Sequence, residues 1–228
     1  MRGFRLSHAG LVLEHEGHAL FIDPGSFTTE AELSAAIDAV SAESTIAGVV
    51  ITHEHGDHWS APNLAAIRAA APGAGIFTTR STAESLQAAG IPDAVVVHEG
   101  DAAEAGGFEL DFYGHRHEVL HASIPVIDNI GVRVNGSLAY GGDSLARPPF
   151  RADVLGVPIG SPWSTIGDVM DFVLANAPRR AFLTHDGMLS GPGLALFEQR
   201  VREALAATGG ELLAFPRLGD AGAARLEL

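Results

Sequence analysis

The chain has 228 residues with neither Cys nor Lys, and its 14 Arg and 28 acidic residues give a formal net charge of −14. Without Cys it cannot form disulfides, thiolate nucleophiles, iron–sulfur clusters or cysteine-ligated zinc sites, and without Lys it cannot form Schiff bases. The acidic balance argues against a nucleic-acid partner, because such partners are held by basic contacts to phosphate. Metal ions, His, carboxylates, Tyr and hydroxyl side chains remain as the chemical groups of an active site.

The composition is that of a globular protein, with 46% hydrophobic residues and a length that suits one large domain over residues 1–228. The N-terminal segment lacks the apolar core of a signal peptide, because Glu14, Glu16 and His18 interrupt it. The sequence has no run of about 18 apolar residues that could form a transmembrane helix. We therefore predict a cytoplasmic protein without a membrane partner.

The first half of the chain alternates between strand-like and helix-like segments. Two short apolar runs flank Glu16-Gly17-His18 and predict a β-hairpin that ends at Asp23-Pro24-Gly25. Thr29 and the acidic residues after it begin an amphipathic helix over about residues 30–41, and the β-branched run 48–52 predicts a strand buried on both faces. This alternation is typical of layered α/β proteins. Further helices are predicted over 63–70 and 81–89, and further strands over 76–79, 94–98 and 107–114.

The second half continues the alternation after a second hairpin. Asn135-Gly136 lies between the apolar runs 130–134 and 137–140 and is the strongest short signal for a two-residue hairpin turn. No linker or tandem repeat divides the chain, so we expect one domain made of two similar halves. The remaining predicted elements are strands over 153–159, 180–184 and 212–215 and helices over about 164–176 and 193–208.

The stretch His53-Glu54-His55-Gly56-Asp57-His58 directly follows the predicted buried strand 48–52. Packing alone gives no reason to place three imidazoles and a carboxylate at this spacing, and together they suit Zn²⁺, Mn²⁺ or Fe²⁺. Loops at strand ends carry the chemistry of layered α/β proteins, and such residues recur at three more strand ends. We therefore predict a metal site from four groups of residues, namely the motif 53–58, then His115, His117 and His121, then Asp143, then His185.

These residues resemble the HxHxDH motif and the later ligands of the metallo-β-lactamase superfamily, and the resemblance spans nearly the whole chain. Asp143 in Gly141-Gly142-Asp143-Ser144 is similar to the aspartate that bridges two metal ions in that family, and His185 to its last histidine. The chain looks closest to the short metal-dependent hydrolases related to ascorbate-6-phosphate lactonase, a group that Asp23-Pro24 also fits. The resemblance implies an α/β fold, a four-layer αββα sandwich in which two mixed sheets pack face to face with helices outside.

The resemblance also assigns the ligands to two divalent ions, for which Zn²⁺ is favoured and Mn²⁺ or Fe²⁺ are the alternatives. The third histidine of the family is best matched by His117, while His115 and His121 remain alternatives. The implied ligands are His53, His55 and His117 for the first ion, Asp57, His58 and His185 for the second, and Asp143 as the bridge.

Such a pair of ions implies a metal-bridged hydroxide that cleaves an ester-type bond of a small molecule, with lactones or phosphoesters favoured. Asp57 and Asp143 are the implied catalytic residues, and Asp57 would orient the hydroxide and relay its proton. Arg116 and Arg147 are candidates for binding an anionic substrate. The alternatives are a phosphodiesterase or redox enzyme that uses the same ligands, and a metal-binding sensor or partner protein without catalytic activity.

Neighbouring residues are candidates for supporting roles. Trp59 and Trp163 either form walls of a substrate pocket or pack over loops, and the sequence does not separate these alternatives. Residues beside the ligands could orient the imidazole rings, namely Thr52, Ser144 and Asp186. The histidines expected to be structural or solvated are His8, His15, His18 and His98. For His8, and for Asp23, the alternative is an approach to the site, because both lie near strand ends of the opening hairpin.

Overall fold

The computed structural model describes residues 1–218 and 225–228, and within them it contains fourteen strands and five helices. The helices are α1 (Glu30–Ser41), α2 (Ala61–Ala70), α3 (Arg80–Ala88), α4 (Ile166–Asn176) and α5 (Gly191–Thr208). The strands of the first half are β1 (Arg2–Arg5), β2 (Leu11–His15), β3 (His18–Ile22), β4 (Thr45–Ile51), β5 (Gly75–Thr78), β6 (Val95–Val96), β7 (Ala102–Ala105) and β8 (Phe108–Tyr113). Those of the second half are β9 (Gly131–Val134), β10 (Leu138–Tyr140), β11 (Val154–Pro158), β12 (Arg180–Thr184), β13 (Glu211–Leu212) and β14 (Leu226–Glu227).

The described strands form two seven-stranded mixed sheets. The first has the order β14-β1-β2-β3-β4-β5-β6, and the second has the order β13-β12-β11-β10-β9-β8-β7. In the first sheet β1, β2 and β3 are antiparallel and β3 to β6 are parallel. In the second, β7 to β10 are antiparallel and β10 to β13 are parallel. Each sheet therefore has one antiparallel half and one parallel half.

Three hydrophobic cores separate four layers. The core between the sheets contains Leu20 and Val50 from the first sheet and Phe108 and Phe182 from the second. A second core lies between the first sheet and helices α1 to α3, and a third lies between the second sheet and helices α4 and α5. Burying a side chain such as Leu20 contributes roughly 1.5–3 kcal/mol, so these cores hold the layers together. The predicted αββα sandwich is confirmed.

Local signals in the sequence place two of the helices. Thr29 caps α1, because its hydroxyl accepts a hydrogen bond of 3.2 Å from the backbone N–H of Glu32. Thr165 and Asp168 form a capping box at the start of α4, in which each side chain accepts from the backbone N–H of the other. α1 covers the predicted range 30–41, and α4 begins at Ile166, two residues later than predicted.

Several strand predictions differ from the structure. Residues 94–98 form a strand only over Val95–Val96, because β6 is an edge strand that pairs with β5 alone. Asn135 and Gly136 both have positive φ, but Val134 pairs with Leu138, so the loop has three residues rather than the predicted two. Strands β1, β7 and β14 were not predicted, since each is a short segment near a sheet edge without a continuous apolar run.

The sequence predicts no membrane-spanning helix. None of the helices within residues 1–218 and 225–228 is both long enough and apolar enough to cross a bilayer.

Candidate metal centre

The predicted metal ligands follow strand ends that the fold brings to one edge of the sandwich. The motif 53–58 follows β4, His117 lies in the irregular segment after β8, Asp143 lies just beyond β10 and His185 follows β12. The parallel strands in each sheet end at the same edge, since β3 pairs with β4 and β10 pairs through β11 with β12. Residues far apart in sequence therefore lie side by side.

The first group of ligand atoms comes from His53, His55, His117 and Asp143. One such atom from each residue lies within 4.8 Å of the others. His53 Nε2 is 3.1 Å from His55 Nδ1, and His117 Nε2 is 3.3 Å from Asp143 Oδ2. Two ligands of a tetrahedral zinc ion lie about 3.3 Å apart, because each bond is about 2.0 Å long. The group therefore has the spacing of a metal site.

The second group consists of the predicted ligands Asp57, His58 and His185, together with His8. Asp57 Oδ2 is 3.5 Å from His185 Nε2 and 3.2 Å from His8 Nε2. The three histidines are buried, whereas 25% of the Asp57 side chain is exposed. Asp57 is thus the member of this group that reaches toward solvent.

Asp143 lies between the two groups. Its Oδ2 is 3.3 Å from His117 Nε2 and 3.2 Å from His185 Nε2, while its Oδ1 is 3.1 Å from His58 Nε2. Trp163 Nε1 donates a hydrogen bond of 2.9 Å to Oδ2. One buried carboxylate therefore faces histidines of both groups, which is the position that a bridging ligand requires.

Four buried atoms of the site have no hydrogen-bond partner among the described residues. Each such atom costs about 1–3 kcal/mol, so four in one place would be strongly destabilising unless another group binds them. Imidazole nitrogen and carboxylate oxygen are common ligands of divalent ions. The residues present therefore fit metal ions. The four atoms are Nε2 of His58, His117 and His185 and Oδ1 of Asp143.

Hydrogen bonds behind the rings determine which nitrogen faces the site. His58 Nδ1 is 2.7 Å from Asp23 Oδ2, and His117 Nδ1 is 2.7 Å from the backbone carbonyl oxygen of Glu118. A carboxylate and a carbonyl only accept, so both Nδ1 atoms carry hydrogen and donate it. In each neutral ring Nε2 then presents its lone pair to the site, as metal-binding histidines do.

Asp23 and Thr52 form hydrogen bonds that hold the motif 53–58 in place. The Thr52 hydroxyl donates to Asp23 Oδ2 at 2.7 Å, and the Thr52 N–H donates to Asp23 Oδ1 at 2.8 Å. Because the hydroxyl hydrogen is used in this way, Thr52 Oγ1 accepts from His53 Nδ1 at 3.1 Å, which leaves His53 Nε2 for a metal ion. The adjacency of Thr52 to His53 predicted that Thr52 orients a ring. The contact of Thr52 with Asp23 has no such local signal, because the two residues are 29 positions apart.

His8 lies at the site, which was the alternative to its expected structural or solvated role. Its ring is fully buried, and its Nδ1 accepts a hydrogen bond of 3.0 Å from the backbone N–H of Gly187. Burial lowers the pKa of His8, so the ring is neutral and its single hydrogen lies on Nε2, which donates to Asp57 Oδ2. His8 therefore positions Asp57, and neither of its nitrogens has a lone pair free for a metal. No motif spacing marks this histidine in the sequence.

Replacing His8 with Ala should weaken metal binding by the second group without removing it. The hydrogen bond that holds Asp57 is lost, and such outer partners typically contribute about 10–100-fold to metal affinity. We expect a loss of that size in a competition titration of Zn²⁺ against a chelator, with unchanged stoichiometry at saturating Zn²⁺. His98→Ala, which removes an exposed imidazole, is the control and should not change the affinity. Loss of a whole zinc equivalent would instead identify His8 as a ligand.

Other candidates lie away from the metal centre. His115 is exposed and lies 3.5 Å from Glu99, and His121 is exposed and bonded to Ser123, so His117 is the histidine of this segment that reaches the site. Trp59 donates to the carbonyl oxygen of Glu54 and packs on the first-sheet core. Of the two tryptophans, Trp163 therefore faces the metal ligands.

Two predicted ring-orienting residues have other partners. Ser144 Oγ accepts from the backbone N–H of Ala146 at 3.1 Å. Asp186 forms ion pairs with Arg5 at 2.8 Å and Arg217 at 2.6 Å. The expectation that Ser144 and Asp186 orient imidazole rings was therefore wrong. Asp186 instead anchors the segment after β12 to the first strand of the chain.

The backbone is strained at three residues of the site. His8, Asp23 and His185 have φ values of 62°, 47° and 58°, in the left-handed region that side chains other than glycine rarely adopt. Each such residue costs about 1–3 kcal/mol, and the surrounding structure must supply that energy. The left-handed backbone directs three buried polar side chains toward the site. This role explains why the strained residues lie there.

Carboxylates dominate the electrostatics of the site. Burial by itself lowers the pKa of His58 and of His185, but the negative charge of Asp143 and of the other nearby carboxylates outweighs it. They raise the pKa of His58 well above its ordinary value and that of His185 to about 9. Burial would raise the pKa of Asp143, but the surrounding histidines hold it well below the usual range. Protons therefore balance the carboxylates until a metal cation replaces them.

Metal binding should consequently release protons and strengthen as the pH rises. An imidazole with a pKa of about 9, as for His185, is about 99% protonated at pH 7, and a metal ion must displace that proton. We expect the apparent Zn²⁺ affinity to rise by at least about tenfold per pH unit between pH 7 and 9, because the raised pKa of His58 adds a second proton that the ion must displace. Chelator competition at a series of pH values measures this slope. An affinity independent of pH over this range would contradict the assignment of His185 as a ligand.

Comparisons with known proteins identify the family and the fold of the chain. Residues 5–185 match the family model described as "Beta-lactamase superfamily domain". Protein Rv0786c of Mycobacterium tuberculosis is 31% identical over 201 residues, which cover 86% of this chain and 89% of that protein. Igni18, a metallo hydrolase from Ignicoccus hospitalis, superposes with a TM-score of 0.67 at 19% identity and 94% coverage of both chains.

A second solved structure shows the same fold in a longer protein. CmlA, a diiron β-hydroxylase from Streptomyces venezuelae, has a TM-score of 0.70 at 16% identity, with 95% of this chain and 52% of that chain covered. At these identities the two structures establish the fold, while the family model covers most of the chain. The chain therefore belongs to the metallo-β-lactamase superfamily.

Proposed function

We propose that this protein hydrolyses an ester-type bond of a small molecule, either a lactone or a phosphoester, with two divalent ions held by the two ligand groups. Zn²⁺ is the favoured ion, with Mn²⁺ or Fe²⁺ as alternatives. The observation that carries the proposal is the convergence of four unpartnered ligand atoms around Asp143. When bound, divalent ions supply Lewis acidity, which activates water at neutral pH and polarises the acyl or phosphoryl oxygen of the substrate.

Residues of the chain itself have the other roles in the reaction. Asp57 is held by the Nε2–H of His8 and lines the cavity above the ligands, so it orients the attacking water and accepts its proton. Asp143 is fixed by Trp163 and by the surrounding histidines, so it holds the two ligand groups in one geometry. In ester cleavage, water oxygen bonds to the acyl carbon, the bond to the alkoxy oxygen breaks, and that oxygen leaves with a proton as an alcohol.

Turnover by the purified, metal-loaded protein tests the proposal. We expect activity on at least one of γ-butyrolactone, p-nitrophenyl acetate and bis(p-nitrophenyl) phosphate, assayed with Zn²⁺ and with Mn²⁺. His55→Ala should lower this activity strongly, because His55 belongs to the first ligand group. Inactivity on every class would favour the alternative of a metal-binding protein without catalysis.

Metal analysis distinguishes the proposed hydrolase from the alternative of a redox enzyme. The ligand set of His and Asp also suits iron, and redox chemistry on the same residues would require it. We expect the protein purified from unsupplemented medium to contain Zn²⁺ or Mn²⁺ and to show no visible absorbance. Iron as the dominant metal, together with a visible absorption band, would instead favour a redox enzyme.

A further inference from the structure

A cavity of about 280 Å³ opens directly above the metal ligands. Its floor is formed by site residues, among them His55, Asp57 and Asp143, while its walls are largely apolar. Drug-sized ligands usually occupy pockets of roughly 300–1,000 Å³, so this cavity suits a smaller molecule. The wall residues are Leu120, Ile124, Ile127, Trp163 and Met188, together with two prolines.

The apolar walls are left open to solvent. Leu120 is 43% exposed, Ile124 is 46% exposed and Met188 is 51% exposed. Large apolar side chains gathered at one opening are unusual on a protein surface and mark sites that bind apolar groups. A substrate with an apolar substituent would cover them, whereas a polar substituent would lose its own hydration without gaining hydrogen bonds.

The walls carry no cation that could hold an anionic substituent. Among the described residues that line the cavity there is no Arg, and the chain has no Lys. The charged wall residue is Glu118, whose Oε1 is fixed by a hydrogen bond of 2.8 Å from the backbone N–H of Leu145. Arg116 does not line the cavity, and Arg147 lines a separate cavity of about 640 Å³ beside Phe150. The expected role of these arginines in binding a substrate therefore has no geometric support.

Trp163 makes one wall rigid. Its indole N–H donates to Asp143 Oδ2 at 2.9 Å, and this hydrogen bond holds the ring against the site. Its centroid lies 5.8 Å from that of His117 and 6.1 Å from that of His185. A flat apolar surface thus stands within a few ångströms of the atoms where the reacting bond must lie.

From these observations we infer that the substrate is a small, uncharged carboxylic ester or lactone with an apolar substituent, rather than a phosphoester. The inference rests on the proposed hydrolase function and specifies its substrate class. The acyl group sits over the metal ligands, and the apolar substituent lies against Leu120, Ile124 and Trp163. Addition of water across the acyl C–O bond yields a carboxylate, an alcohol and one proton.

A series of p-nitrophenyl esters tests the inference with one leaving group. From acetate to butyrate we expect kcat/KM to rise about fourfold per added CH₂, which corresponds to about 0.8 kcal/mol for each buried group. The p-nitrophenyl monoester of succinate, which has a carboxylate in place of the terminal methyl group of butyrate, should react at least tenfold more slowly than the butyrate ester. Bis(p-nitrophenyl) phosphate should be the poorest substrate. A flat chain-length series, or a faster succinate or phosphate ester, would overturn the inference and leave hydrolysis itself standing.

A pair of variants tests whether the walls select the substrate. Leu120→Arg places a cation on the cavity wall and should raise the succinate-to-butyrate ratio of kcat/KM at least tenfold. Val119→Arg is the matched control, because Val119 is similarly exposed and adjacent but does not line the cavity. Equal ratios in the two variants would show that the wall does not contact the substrate.

Binding provides a measurement that does not depend on turnover. Calorimetric titration of the metal-loaded protein with acetanilide and butyranilide, amide analogues of the two esters without the nitro group, should show about 15-fold tighter binding of butyranilide, from two CH₂ groups. Equal affinities would overturn the inference. If butyranilide binds more tightly but no ester is hydrolysed, the cavity assignment holds and the proposed hydrolase function fails, so the two are distinguishable.

Discussion

Replacement of Asp143 by Ala is expected to abolish hydrolysis and to reduce the bound metal from two ions per chain to one or none. Asp143 lies within 3.3 Å of ring nitrogens from His58, His117 and His185, so its loss removes the one carboxylate shared by both ligand groups. Removing one partner of a buried charge cluster also costs about 3–5 kcal/mol of stability. We expect kcat/KM to fall at least about 1,000-fold, as judged by ester turnover together with metal analysis.

Two further variants separate the loss of a ligand from the loss of an acidic residue. Asp153→Ala removes an exposed Asp that lies 4.0 Å from Arg179, and it should keep wild-type metal content and activity. Asp143→Asn keeps the shape of the side chain but removes its charge, so it should bind metal more weakly than the wild type. If the Ala variants at positions 55, 143 and 185 all kept wild-type metal stoichiometry, the model of two metal ions would be wrong.

The parts of the site that the sequence predicts are those whose signal is local. The motif 53–58 places its ligands within six positions at the end of a buried strand, and Asp143 and His185 likewise lie just beyond strands. The layered fold follows from the alternation of buried strands and amphipathic helices, and the family resemblance supplies the way they pair. Adjacency and periodicity therefore carry this part of the prediction.

The supporting contacts have no such signal. His8 meets Gly187 across 179 positions, and Asp23 meets His58 across 35. A histidine that holds Asp57 and a histidine in solvent look the same in a sequence, because only the folded chain decides which groups face it. Ser144 and Asp186 show the converse error, since they are next to ligands in sequence but bind other partners. The cavity above the ligands likewise has no local signal, because its walls come from three separate loops.

Replacement of Gly25 by Ala is expected to damage the site without changing any ligand. A Cβ atom at position 25 would lie 1.8 Å from the backbone oxygen of Asp57 and 2.6 Å from the backbone nitrogen of His58. Both neighbours are backbone atoms, so no change of rotamer can relieve the clash and the loop must move. Misplacement of a reacting group by about 1 Å costs on the order of 100-fold in rate. We expect at least this loss in kcat/KM, with weaker binding of one metal ion.

Gly56→Ala supplies the matched control, because it adds the same methyl group to the same motif. A Cβ atom at position 56 meets nothing within 4 Å, and Gly56 does not have a positive φ, so metal content and activity should stay at the wild-type level. Wild-type activity in Gly25→Ala would mean that the contact between positions 25 and 57 does not place the ligands. We expect opposite outcomes for the two glycines because the 23–25 turn packs closely against the 53–58 loop. The Ser26 N–H also donates a hydrogen bond of 2.8 Å to the Gly56 carbonyl oxygen there. The position of Asp57 and His58 thus depends on the end of the opening hairpin as much as on the strand that precedes them.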